Sequence, residues 1–307
     1  MFTSHKQRII AVFVGALLLL AAIVVLRPSS ASGLPKPLFW RTKVAGEGKH
    51  RLVAAGDSRT LRGIAPQEFA NFDLGPGLNF GFQGAALNSQ FLDAAVSKTN
   101  DKQQAILLLG ITPNAFTPSA ERSNGFDKAV SDVSPVDSRL PNWYFRIIQQ
   151  LEPSSLLEIK RIVTWKSNEL EETYHSDGWL ETVHNAPNEK YALRFYRDRF
   201  NKNMASPELL DRFLSHIATL AANKIRVFAF RPPITEAMAD IEDTTSGFNY
   251  TDFVKSFEAS GGTWLETDSH DYETYDGSHL LNRSAIRLSQ TLAAKIADHL
   301  DRHEEVR

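Results

Sequence analysis

The segment Leu52-Val53-Ala54-Ala55-Gly56-Asp57-Ser58 decides the fold that this sequence predicts. Its first four residues form a short apolar run that ends at a glycine, which is typical of a buried strand. Residues 59–72 have the composition of a helix, so Ser58 is expected where a strand turns into a helix N-terminus. There the backbone N–H groups and the helix dipole stabilise negative charge on a serine oxygen.

The same order of apolar run and amphipathic stretch recurs along the chain. It predicts strands at 51–55, 78–82, 105–109, 225–230 and 263–266, and helices at 59–72, 85–98, 207–223, 250–259 and 284–303. This alternation indicates an α/β protein with three α/β/α layers, in which helices cover both faces of a mainly parallel sheet. Because such sheets bind ligands at the carboxyl ends of their strands, residues that directly follow a predicted strand are candidates for a functional site.

A second polar motif, Asp276-Gly277-Ser278-His279, precedes the last predicted helix. Its spacing lets the Asp276 carboxylate accept a hydrogen bond from one nitrogen of the His279 ring. The other nitrogen would then be available to take a proton from Ser58, as in a serine nucleophile, histidine base and aspartate arrangement. Taken alone, Gly-Asp-Ser is equally typical of a helix N-cap, so that interpretation stays open.

In order along the chain, these motifs resemble the sequence blocks of the SGNH (GDSL-type) hydrolase superfamily. Gly56-Asp57-Ser58 matches the first block, Gly84 after the second predicted strand matches the second, and Asp276 to His279 match the fourth. The resemblance implies a flavodoxin-like fold, with Ser58 as nucleophile, His279 as base and Asp276 as the residue that orients the base. It also implies that the backbone N–H groups of Ser58 and Gly84 stabilise the oxyanion.

The third block departs from the family pattern of Gly-x-Asn. The third predicted strand is followed by Gly110-Ile111-Thr112-Pro113-Asn114, so that the asparagine comes four residues after the glycine instead of two. Asn114 is therefore only a candidate for the third oxyanion donor. The alternative is that Pro113 turns the loop away and that Asn114 caps the following segment.

Two further regions bear on substrate binding. Arg231 follows the fourth predicted strand and is a candidate for pairing with a carboxylate or phosphate of the substrate, or else a surface residue beside a proline turn. Residues 113–206 are rich in aromatic and charged residues and predict a mostly helical insertion. Its aromatic rings fit either sugar stacking or the insertion's own core.

The histidines at 175 and 184 fit no tight ligand spacing, so no metal is expected.

The N-terminal region predicts a membrane anchor. Eighteen consecutive apolar or small residues at 9–26 follow Lys6 and Arg8 and are long enough to span a bilayer. We therefore expect a cytoplasmic stub and transmembrane signal anchor at 1–27, a tether at 28–45 and an SGNH-like domain at 46–307 on the periplasmic or extracellular side. A cleaved signal peptide is the alternative.

Composition excludes several classes of function. The sequence has no cysteine, which rules out disulfides and thiolate chemistry, and its net charge of −2 provides no basic field for nucleic acid. No phosphate-binding or dinucleotide-binding glycine loop is present, and no cofactor is expected.

The resemblance implies acyl transfer through an acyl-serine intermediate, on an acylated glycan or a small ester. The chain is similar to membrane-anchored superfamily members such as alginate O-acetyltransferase and D-alanine transfer proteins. Those members imply cell-envelope glycans as substrates and a multi-spanning membrane acyltransferase as partner. Hydrolysis and transfer both stay open, and a catalytically silent envelope binding or assembly protein on the same scaffold is the alternative.

Overall fold

The computed structural model describes residues 12, 14–15, 33–46, 48–101, 104–133, 170–184 and 188–304. The strands are β1 (Leu52–Gly56), β2 (Gly77–Gly81), β3 (Ile106–Gly110), β4 (Leu170–Tyr174), β5 (Leu180–His184), β6 (Arg226–Phe230) and β7 (Thr263–Trp264). The helices are α1 (Lys36–Ala45), α2 (Ser58–Gly63), α3 (Ser89–Val96), α4 (Pro118–Arg122), α5 (Gly125–Asp132), α6 (Glu189–Lys202), α7 (Pro207–Ala222), α8 (Glu236–Thr245), α9 (Tyr250–Ala259) and α10 (Asn282–Glu304). Short 3₁₀ helices span Pro66–Phe72, Pro113–Phe116 and Ser269–Asp271.

Five parallel strands form the central sheet, in the order β2-β1-β3-β6-β7. The register pairs Gly56, the last residue of β1, with Gly81 on one side and Gly110 on the other. The carboxyl ends of the three strands therefore lie level with one another. This alignment brings the turns that follow Gly56, Gly81 and Gly110 to one edge of the sheet.

Helices cover both faces of the sheet because its strands alternate between two cores. Val53 and Ala55 point into a core shared with α3, α7 and α9, whereas Leu52 and Ala54 point into a core shared with α10. Every residue of β1 is buried, as expected for a strand that is covered on both sides. The predicted α/β class with a parallel sheet flanked by helices is thus confirmed.

Several predicted helices have different bounds in the structure. The helix expected at 59–72 is divided, because α2 ends at Gly63 and Pro66 opens a separate 3₁₀ helix. The helix expected at 85–98 begins only at Ser89, where Asn88 caps it by accepting a hydrogen bond from Phe91 N. The helix α8 was not predicted.

The second half of the predicted tether has regular structure. Residues 36–45 form α1, and the helix buries Leu38 and Phe39. Burial of these two side chains stabilises the helix there. Residues 28–32 lie outside the described part of the chain.

The predicted insertion at 113–206 is also not simply helical. It contains the antiparallel hairpin formed by β4 and β5, in addition to α4, α5 and α6. Residues 134–169 and 185–187 of this region lie outside the described residues.

Within the described ranges, no helix has the length and apolar character that crossing a bilayer requires. The predicted anchor at 9–26 lies outside those ranges, except for residues 12, 14 and 15.

Candidate active site

The turn after β1 places Ser58 as the first residue of α2, with Asp57 as its N-cap. Asp57 Oδ1 accepts from the Arg59 backbone N–H at 2.9 Å, and Asp57 Oδ2 accepts from Thr112 Oγ1 at 2.7 Å. The helix-cap interpretation of the motif therefore applies to Asp57 and not to Ser58. Because Asp57 satisfies the helix terminus, the Ser58 hydroxyl is left available for another partner.

The loop before α10 is a tight turn that carries Asp276 and His279. A backbone bridge between Thr274 and Leu280 closes the loop, and Gly277 adopts a φ of 81°, in the left-handed region that favours glycine. Asp276 Oδ1 accepts from the backbone N–H groups of Ser278 at 2.9 Å and of His279 at 2.8 Å. These two bonds fix the orientation of the carboxylate within its own turn.

The structure brings the three predicted side chains into one hydrogen-bonded relay. Asp276 Oδ2 lies 2.8 Å from His279 Nδ1, and His279 Nε2 lies 2.9 Å from Ser58 Oγ. The Ser58 side chain is partly exposed, and the imidazole retains 15% of its accessible surface. The relay is therefore packed into the protein and still reachable from solvent.

The charge of Asp276 decides which group donates and which accepts in the hydrogen bond between Asp276 and His279. Burial acts to raise the pKa of Asp276, but the hydrogen bond and charge of His279, together with the two backbone N–H donors, lower it to about 2. An ionised carboxylate can only accept, so His279 Nδ1 donates to it. In the neutral form of the ring, Nε2 carries no proton and can accept the hydrogen bond of the Ser58 hydroxyl.

Gly84 lies in the turn after β2, as the sequence motif predicted. It adopts a φ of 68°, and a Cβ built at this position would meet nothing within 4 Å, so that the backbone faces open space. Within the described residues, the amide nitrogens of Ser58 and Gly84 donate to no protein acceptor. Neither N–H group is therefore committed to another acceptor within the described residues, which leaves their predicted role as oxyanion donors open.

The turn after β3 differs from the family pattern in a specific way. Thr112 stands two residues after Gly110, where Gly-x-Asn has its asparagine, and its hydroxyl is committed to Asp57. Asn114 is buried, and its Oδ1 has no hydrogen-bond partner. The next residue, Ala115, accepts through its carbonyl from Leu87 N. The segment that contains Asn114 is thus tied through Thr112 to the turn that carries Ser58, and through Ala115 to the loop that carries Gly84.

Arg231 is bound by carboxylates of the protein itself. Its Nη2 lies 3.3 Å from Glu242 Oε2 and 3.0 Å from Asp243 Oδ1, and its guanidinium stacks 3.9 Å above the Tyr250 ring. The structure does not bring Arg231 into contact with Ser58, His279 or Asp276 in the described part of the chain. Its substrate-binding role stays a prediction.

Sequence reasoning missed the side chains that surround the relay. Arg59, Glu242 and Ser278 are each 3% exposed or less. A charged residue directly after the candidate nucleophile was the only signal of this group, because ion pairs between distant segments leave no periodic pattern in a sequence.

The hairpin histidines make other contacts. His175 Nε2 lies 2.8 Å from Glu181 Oε2, and the His184 ring stacks on Tyr275. Among the described residues, no group of three or more His, Asp or Glu side chains is arranged to hold a metal ion.

Comparison with protein-family models and with curated proteins gives no match to this chain. The function of the protein is therefore inferred from the geometry of the site.

Proposed function

We propose that this protein is a serine-dependent ester hydrolase or O-acyltransferase of the SGNH type, which acts on glycans of the cell envelope or extracellular space. The relay from Asp276 through His279 to Ser58 carries this proposal, with links of 2.8 Å and 2.9 Å. A serine, a base and an orienting carboxylate within hydrogen-bond reach are the parts that covalent acyl transfer requires.

The first half of the reaction forms an acyl-serine. His279 Nε2 takes the proton of Ser58 as Oγ attacks the ester carbonyl, and the N–H groups of Ser58 and Gly84 hold the resulting oxyanion. Asp276 stabilises the imidazolium. When the tetrahedral intermediate collapses, the alcohol leaves with the proton from His279, and the acyl group stays on Ser58.

The second half transfers the acyl group to an acceptor. His279 takes a proton from the acceptor hydroxyl, whose oxygen attacks the acyl-serine, and returns a proton to Ser58 Oγ as it leaves. Water as acceptor releases an acid, whereas a sugar hydroxyl forms a new ester. Product analysis with and without an added oligosaccharide distinguishes hydrolysis from transfer.

Two features support the SGNH assignment beside the relay. When only the five strands of the central sheet are numbered along the chain, their order in the sheet is 2-1-3-4-5, which is the order of flavodoxin-like folds. The nucleophile, Gly84 and Thr112 all follow strands whose last residues are in register. Resemblance to membrane-anchored members of the superfamily supports glycan substrates and a multi-spanning membrane acyltransferase as donor partner.

A serine-directed fluorophosphonate tests the assignment of the nucleophile. The full-length chain, purified in mild detergent, is treated with the probe and analysed by peptide mass spectrometry, and turnover of a short-chain nitrophenyl ester is measured in parallel. We expect modification at Ser58 and loss of both signals in Ser58→Ala. Ser89 is an internal control, because it is also the first residue of a capped helix but has no histidine partner among the described residues. No labelling of the folded protein would contradict the proposal.

The proposed location has its own test. We propose an uncleaved anchor at 9–26, with the domain on the periplasmic or extracellular side. The chain should then remain in bacterial membranes after alkaline carbonate washing and should be digested by protease added from the outer side. Release by carbonate would contradict the anchor.

A second candidate, a catalytically silent envelope binding or assembly protein, is favoured by one observation. Thr112 stands in place of the family's third oxyanion donor and binds Asp57 instead. A folded chain that neither labels nor hydrolyses esters would support this candidate.

A further inference from the structure

Arg59 directly follows the proposed nucleophile, yet its side chain is buried. Arg59 as a residue is 3% exposed, and its guanidinium lies over the ring of Tyr196, with 5.3 Å between the guanidinium carbon and the ring centroid. Its Nη2 lies 2.6 Å from Oε1 of Glu242, a carboxylate that is 1% exposed. Burying a charged pair is costly, so a pair of this kind calls for an explanation beyond general stability.

The hydrogen bond made by the Nε atom of Arg59 supplies such an explanation. Arg59 Nε donates to Ser278 Oγ at 2.9 Å, across a sequence separation of 219 residues. Ser278 in turn donates through its hydroxyl to Tyr196 OH at 3.3 Å. Ser278 lies between Asp276 and His279, and its own backbone N–H donates to Asp276. The hydroxyl to which Arg59 donates therefore belongs to the turn that carries Asp276 and His279.

The two ends of Arg59 consequently hold the two halves of the relay. Its backbone N–H is fixed by Asp57 in the turn that presents Ser58, and its side chain is fixed to Ser278. Glu242 holds the guanidinium from the opposite side and also contacts Arg231. Burial acts to lower the pKa of Arg59, but the carboxylate of Glu242, with Tyr196 and Asp57, leaves it raised, so the guanidinium stays charged.

We propose that Arg59 is a positioning residue for the proposed acyl-transfer reaction, and that its bond to Ser278 sets the distance between Ser58 Oγ and His279 Nε2. This inference rests on the proposed function. Arg59 itself need not contact the substrate. Displacing a base by about 1 Å lowers a rate by about 10²-fold, so a single hydrogen bond that fixes the base can have a large effect.

Ser278→Ala is the test that disturbs the fold least. It removes the hydroxyl that Arg59 and Tyr196 bind, while both backbone bonds to Asp276 remain possible. Ser289→Ala is a matched control, because Ser289 is equally buried and its hydroxyl accepts from Ala65 N and donates to Ala285 O within another part of the domain. Fluorophosphonate labelling of Ser58 and ester hydrolysis are measured below the unfolding temperature of both variants.

We expect Ser278→Ala to lower the labelling rate constant by about 10-fold to 10²-fold. For ester hydrolysis, kcat should fall by a similar factor while KM stays within about twofold, since an interaction that orients the base acts on the chemical step. Ser289→Ala should leave kcat within about twofold, whatever its effect on the unfolding temperature.

Arg59→Lys supplies a second variant that retains the charge beside Glu242 but lacks the Nε donor. Its effect and that of Ser278→Ala should not add in the double variant, because both changes break the same link. Labelling of folded Ser278→Ala at the wild-type rate would overturn the inference while leaving the proposed function intact. If the wild-type chain itself is not labelled at Ser58, the proposed function fails first.

Discussion

Replacing Asp276 with asparagine separates a catalytic carboxylate from one that merely shapes its turn. Asp276 Oδ1 accepts two backbone N–H groups, and Oδ2 faces His279 Nδ1. In Asp276→Asn the amide oxygen must occupy the Oδ1 position, because two donors point at it. The amide NH₂ then faces Nδ1, which must accept, and the ring proton moves to Nε2. That tautomer cannot take the proton of Ser58.

The size of the effect follows from the cost of reversing this arrangement. Turning the amide over would restore the active tautomer but leave two backbone donors without an acceptor. At about 2 kcal/mol for each unsatisfied donor, the active form is disfavoured by about 4 kcal/mol, which corresponds to a rate lower by about 10³-fold. The fold should be retained, since both backbone bonds persist.

Fluorophosphonate labelling and nitrophenyl ester turnover, each at neutral pH, measure this effect. Asp268→Asn is the matched control, because Asp268 caps a turn by accepting from His270 N in the same way, outside the relay. It should leave the rate within about twofold. An Asp276→Asn rate within tenfold of wild type would show that the carboxylate only shapes the turn.

The remaining predictions concern the relay, the oxyanion and a buried lysine. Ser58→Ala and His279→Ala should each lower ester turnover by about 10³-fold or more, and the double variant should be no worse, because the two residues act as a unit. Additive losses would contradict this. Asn114→Ala should cost about 2 to 4 kcal/mol of transition-state stabilisation, measured as kcat, and an unchanged kcat would remove Asn114 from the site. Lys43 is fully buried and donates to the Gly178 carbonyl at 2.8 Å, and burial holds its pKa well below 10.5. Lys43 therefore binds its proton more readily in the unfolded chain, and its contribution to the free energy of unfolding rises with pH up to about 10.5. Lys43→Met has no such pH-dependent contribution. Urea unfolding should therefore show that the free energy of unfolding of the variant, relative to wild type, is highest at low pH and falls as pH rises. A difference in free energy of unfolding that does not change with pH would contradict the lowered pKa.

The parts of the fold that were predictable follow from continuous apolar runs. Residues 52–55 and 105–109 are apolar at every position because both faces of the sheet are covered, and the sequence pattern placed these strands within one residue. The order of strand, polar turn and helix also placed Ser58 and Gly84 at one edge of the sheet. Asp276 and His279 could be paired because their spacing is local.

The remainder depended on contacts between distant segments. No pattern within residues 36–45 indicates that Leu38 and Phe39 are buried against the domain. The hairpin at 170–184 lies in the region that the sequence predicted as a mostly helical insertion. Arg59 is a similar case, because its partner Ser278 is 219 positions away. Contacts between such distant residues can be identified only from the folded structure.

The relay also joins positions that are 221 residues apart, with Ser58 beside the first strand of the sheet and His279 just before the last helix. Long-range closure of this kind is slow compared with the formation of helices and neighbouring strands. In the proposed mechanism, Ser58 is activated only after the turn that carries His279 has docked onto the turn that follows β1. During refolding, the time at which fluorophosphonate first labels Ser58 would therefore report this docking event, separately from the recovery of secondary structure.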